Sequence, residues 1–163
     1  MREEEKLKQF MKENKDLILA AEKELNERID KLKPMPVETV KKRIDEINEY
    51  LAKFLWTEMA FTKIDEESII LMGCDDLICP DPKIEITFCY PQMMAGPFSW
   101  IIEENQKPFL SLSSKEELRE KTGLYAYHGR YVFKMQDEEI RNPYGIFIAA
   151  TGIHCQILKG SSR

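Results

Sequence analysis

Residues 83–90 read Lys83-Ile84-Glu85-Ile86-Thr87-Phe88-Cys89-Tyr90. Ile84, Ile86, Phe88 and Tyr90 alternate with Glu85, Thr87 and Cys89, the pattern of a strand with one face in a core, because successive side chains on a strand point to opposite faces. Period two on this stretch makes the second part of the chain a sheet. The surrounding sequence agrees. Residues 59–62 and 68–72 predict short strands around the turn Ile64-Asp65-Glu66-Glu67, and Asp and Pro make residues 74–82 a loop.

Downstream, residues 91–97 read as a connection, and residues 98–103 and 108–112 predict a second pair of strands around Glu104-Asn105-Gln106-Lys107. Ser114, followed by Glu117 three residues on and stopped by Gly123, predicts one short capped helix. Residues 124–128 and 131–136 read as a hairpin about Gly129-Arg130, and residues 145–151 and 153–158 end the sheet, with Gly152 as a bulge or turn. The tail 160–163, Gly-Ser-Ser-Arg, reads as disordered.

Upstream the period changes. Met11, Ile18, Leu25 and Leu32 recur every seven residues, with Leu7, Ala21 and Ile29 in the intervening turns. That spacing predicts a coiled-coil-like amphipathic helix over about residues 3–33, with Phe10 and Leu17 widening its seam toward the N-terminal half. Lys33-Pro34-Met35-Pro36 ends it, because neither proline donates a backbone hydrogen bond and Pro34 disfavours helical geometry at Lys33. Val37, Val40, Ile44, Ile47, Leu51 and Phe54 then mark a second helix. The natural expectation is a helical hairpin with facing seams over residues 1–55, an assembly arm, followed by a β-rich body over residues 56–159. At 1.5 Å per residue the helices span roughly 45 and 29 Å. About ten residues of the first, carrying Leu7, Phe10 and Met11, have no partner within such a hairpin. Helices first and strands afterwards make the fold class α+β, with a mainly antiparallel sheet.

Composition bounds the function. The 163 residues carry 24 Lys and Arg against 29 Asp and Glu, a formal charge of −5. The imbalance and the lack of a basic run disfavour generic nucleic-acid binding, which depends on clustered cations. Met1-Arg2-Glu3-Glu4-Glu5 lacks the apolar segment of a secretory signal, and no window approaches the length of a membrane span, so the reading is cytoplasmic, with no membrane partner and four free thiols.

Chemistry is sparse. Cys74 and Cys79, with His128, His154 and Cys155, fall short of the two tightly spaced pairs typical of structural zinc, so no metal is assigned. Cysteine catalysis is disfavoured, because Cys89 and Cys155 read as core and the acidic loop around Cys74 and Cys79 raises a thiol pKa. No phosphate-cradling glycine run is present, and no cofactor is expected. The densest polar-aromatic cluster, Tyr125, Tyr127, His128, Arg130 and Tyr131 with Arg141, has the stacking faces and donors a nucleotide or sugar phosphate needs, although Tyr is also an ordinary strand residue. Met93, Met94 and Trp100, around Gly96-Pro97, form an adaptable contact surface or a loop folded over the sheet.

The expected function is a non-catalytic interaction or regulatory protein. It self-associates or binds a partner protein through Leu7, Phe10, Met11, Leu17 and Ile18, with Met93, Met94 and Trp100 as a further surface. A small-ligand or nucleotide binder using the sheet aromatics is the first alternative. A small enzyme centred on His128 or His154 is the second.

Overall fold

The computed structural model describes residues 2–54, 56–75, 81–103, 108–136 and 145–159. The chain is α+β, with its first helices followed by antiparallel sheets. It divides into two compact units, Met1–Lys33 and Pro34–Arg163.

The first unit holds α1 (Glu3–Glu13) and α2 (Lys15–Lys31). Where one helix is expected, Asn14 interrupts the regular backbone at φ −111° and ψ 19°. The hydrogen-bond ladder nevertheless passes through it, from Asn14 N–H to the Phe10 carbonyl at 3.0 Å and from Ile18 N–H to the Asn14 carbonyl at 2.9 Å. Neither helix buries a residue.

The second unit opens with α3 (Val37–Leu51). Its seam of Val40, Ile44, Ile47 and Leu51 is buried and joins the main core. The helix packs against β6 (Leu110–Ser113) and β9 (Gly152–Ile157). The expected pairing of two helical seams is thus replaced, on the side of α3, by packing on strands, and the chain divides after Lys33 and not after residue 55.

Two antiparallel sheets take the place of the single one expected. The larger runs in the order β5 (Ser99–Glu103), β1 (Trp56–Ile64), β2 (Ser68–Cys74), β3 (Pro82–Cys89), β9. The smaller runs β4 (Met93–Ala95), β8 (Ile146–Ala150), β7 (Tyr131–Met135), β6. Alternate residues of the large sheet, among them Met59, Leu71, Ile86, Phe88 and Ile153, share one core with Phe133, Met135, Ile146 and Ile148 of the small one. Ile84, Ile86 and Phe88 are buried as their alternation requires. The β1–β2 turn closes where predicted, the Asp65 carboxylate accepting from the amides of Glu67 and Ser68 at 3.0 and 2.9 Å.

Strand partners differ from the sequence reading. Residues 98–103 and 108–112 do not pair with each other: β5 joins β1, and β6 joins β7. The segments 145–151 and 153–158 fall in different sheets, because the chain crosses between them at Thr151 and Gly152. The crossing from β3 to β4 lies beside this one, at Tyr90, whose φ of 44° is in the left-handed region. Thr151 N–H and Oγ1–H both donate to the Cys89 carbonyl, at 2.9 and 3.0 Å, and lock these two of the four crossings together. The short helix forms as predicted: in α4 (Lys115–Thr122) Ser114 Oγ accepts from Glu117 N–H at 3.0 Å, and Gly123 ends it at φ 73°. Leu118 of α4 packs with Val132 and Phe147 in a smaller core on the far face of the small sheet, so all five residues of β8 are buried.

Candidate functional site

Two surfaces carry the residues singled out by the sequence. The first is the loop between α4 and β7. Residues 124–128, expected as a strand, are not one; the loop makes its hydrogen bonds to side chains instead of to a neighbouring strand. Gln92, just before β4, presents its amide edge-on to the loop backbone, donating to the Tyr125 carbonyl at 2.9 Å and accepting from Tyr127 N–H at 2.6 Å. Lys115 of α4 donates to the Tyr127 carbonyl at 2.9 Å, and the Arg119 guanidinium lies 4.9 Å from the centre of the Tyr125 ring. A loop held at these points still leaves Tyr125 and Tyr127 about two-thirds exposed. His128 is exposed beside them, before a turn in which Gly129 adopts φ 75°.

Arg130 and Tyr131 face another way. The Tyr131 hydroxyl donates to the Met35 carbonyl at 2.6 Å, and Met35 N–H donates to the Thr151 carbonyl at 2.8 Å. Tyr131 therefore ties the start of the second unit to the sheets and is half-buried on the main core. Arg130 Nε is buried with no hydrogen-bond partner among the described residues. Of the six predicted ligand residues, Tyr125, Tyr127 and His128 are brought together on the surface, Arg130 and Tyr131 lie at the base of the loop, and Arg141 lies outside the described residues. Gln92, Lys115 and Arg119, which shape the loop, were missed. The spacing of Lys115 and Arg119 on one helical face was the available signal, and nothing local marks Gln92.

The second surface is the seam of α1 and α2. Leu7, Phe10, Met11 and Leu17 are all more than half exposed, as are Leu19 and Leu25, while Ile18 is half-buried. Met93, Met94 and Trp100, proposed alongside them as a contact surface, belong mainly to packing. Met94 leans on the main core and Met93 on the smaller one, because neighbours on β4 point to opposite faces. Trp100 is buried with its ring against Phe61 and Phe109, which removes it from any surface.

The thiols are poorly activated. Burial pushes up the pKa of Cys74, Cys89 and Cys155, and nearby carboxylates add to the effect at Cys74 and Cys155. His154 is exposed on β9 while its neighbour Cys155 packs against the core, so the two do not converge. Cys79 lies outside the described residues. Among the described residues no three His, Cys, Asp or Glu side chains are grouped as a metal ion needs, and no helix is long and apolar enough to cross a membrane. Comparison with protein-family models, with curated proteins and with solved structures finds no match for the chain.

Proposed function

We propose that this protein is a non-catalytic cytoplasmic interaction or regulatory protein that self-associates or grips a protein partner through α1 and α2. One observation carries the reading: an apolar seam runs along two helices neither of which has a buried residue. Isolated helices of 11 and 17 residues are marginal in water, and most helical stability in proteins comes from packing an amphipathic face. A seam with Leu7, Phe10, Met11, Leu17, Leu25 and Ile29 all half exposed or more is therefore a surface that gains by being covered.

The test replaces Ile18 and Leu25 by Asp in the full chain. Neither is buried, so the thermal midpoint of the β-rich unit should not move, while sedimentation and partner capture should report loss of assembly. Assembly and capture both unchanged in this variant would remove the reading. The clamped tyrosine loop favours a second reading, a small-ligand or nucleotide site on Tyr125, Tyr127 and His128. It predicts a small molecule that co-purifies in native mass spectrometry and is lost on Tyr127→Ala. Identical spectra for the two proteins remove it.

A further inference from the structure

We infer that the partner of the arm is a second copy of this chain, laid antiparallel along α1 and α2; the inference rests on the reading that the arm is the interaction surface. The seam consists of two rows seven residues apart in repeat. One holds Met11, Ile18, Leu25 and Leu32, and the other, four residues earlier in each repeat, holds Leu7, Asn14, Ala21 and Arg28. One row is uniformly large and apolar. The other has a small or polar residue at three of its four positions. Packed antiparallel, two such helices set each row against the other, so that Ile18 covers Ala21 of the second copy and Leu25 covers Asn14 of the second copy, large against small. Packed parallel, each row meets itself. Arg28 would then face its own copy across the seam, a buried repulsion, and Ala21 would face Ala21 across a gap.

Charge on the flanks can pair in either orientation, at different residues, so the orientation rests on the two rows. In the antiparallel register Lys15 faces Glu22 of the second copy, and symmetry makes the pair twice. In the parallel register Lys15 faces Phe10 and Glu22 faces Leu17, and the flank ion pair is instead Glu3 with Lys8 of the second copy. Residues 1–33 carry nine basic and nine acidic side chains, so two arms do not repel, and the arm has no net charge with which to select a strongly acidic or basic partner. Besides Glu3 with Lys8, the parallel form gains the pairing of Asn14 with its own copy across the seam. The Asn14 side chain has already committed its Nδ2–H to the Phe10 carbonyl of its own helix at 2.9 Å, which weakens that pairing. At Asn14 φ and ψ depart from helical values in opposite senses, so the rows of α1 stay in phase with those of α2.

The experiment uses the full chain. Sedimentation equilibrium should show a monomer–dimer equilibrium, and a short amine cross-linker applied to mixed 14N and 15N protein should join Lys8 of one copy to Lys31 of the other. Along one helix those lysines are about 35 Å apart, beyond the reach of such a linker, so the product reports antiparallel contact. Lys15→Glu should weaken the dimer roughly fivefold, and adding Glu22→Lys in the same chain should restore it. A monomer at every concentration overturns the inference, as do Lys8–Lys8 and Lys31–Lys31 links without Lys8–Lys31, or a double swap that restores nothing. The broader reading is separable from it. A monomer that loses capture of another protein on Ile18→Asp with Leu25→Asp overturns the second copy as partner and keeps the arm, whereas a dimer that survives those changes overturns both.

Discussion

Asn48, on α3, spends both ends of its amide on one residue, donating to the Leu110 carbonyl at 2.8 Å and accepting from Leu110 N–H at 2.9 Å. It thereby supplies the hydrogen bonds that the free edge of β6 lacks. Asn48→Ala leaves a buried donor and acceptor unmet and should cost about 1–3 kcal/mol in urea unfolding. Asn48→Asp keeps only the acceptor and should fall short of wild type. Gly152 is fixed by space: a Cβ there would lie 2.9 Å from Met35 Cβ. Gly152→Ala should cost about 1–3 kcal/mol, and Met35→Ala should not rescue it, since the obstructing Cβ remains. Glu117 receives hydrogen bonds from Lys134 and Ser113, which hold its carboxyl below the ordinary value of 4.5. A lowered pKa gives stability that is complete above the ordinary glutamate range and is lost as pH falls through the lowered value. With the side chain a third exposed, the effect is about 0.5 kcal/mol, and Glu117→Gln should flatten that part of the acid limb in stability measured against pH.

At the scale of elements, α4 is the one whose ends are written in full. Ser114→Ala removes its cap and should cost about 1 kcal/mol, seen as a lower midpoint in thermal unfolding. Gly123→Ala meets no atom within 4 Å, so its cost, about 1 kcal/mol, comes from the left-handed backbone alone. Capping and alternation act within a few residues, which is why α4 and β3 were legible in the sequence. Pairing is not local. The alternation over 98–103 shows that Trp100 and Ile102 face a core, and it is silent about β1 being the neighbour. The loop 124–128 looks like a strand because Leu, Tyr and Ala suit one; its backbone is held instead by Gln92, more than thirty residues away. The tyrosines were therefore visible as a group, while their presentation on a clamped loop was not.

At the scale of the molecule, the α+β class follows from a change of hydrophobic period, which composition alone conceals. The division of the chain does not follow, because the seams of α2 and α3 look alike in sequence. Val40, Ile44, Ile47 and Leu51 are buried where α3 packs on β6 and β9, and the seam of α2 is not. The order of strands carries a consequence for synthesis. β9 closes the large sheet by pairing with β3, yet it is made after every other described strand. At about 5–20 residues per second, roughly three to thirteen seconds separate the translation of Cys89 from that of Gly152. During that interval the nascent chain holds β3 with one side unpaired while the arm has already left the ribosome. Arms on neighbouring nascent chains are then free to meet before either sheet is finished.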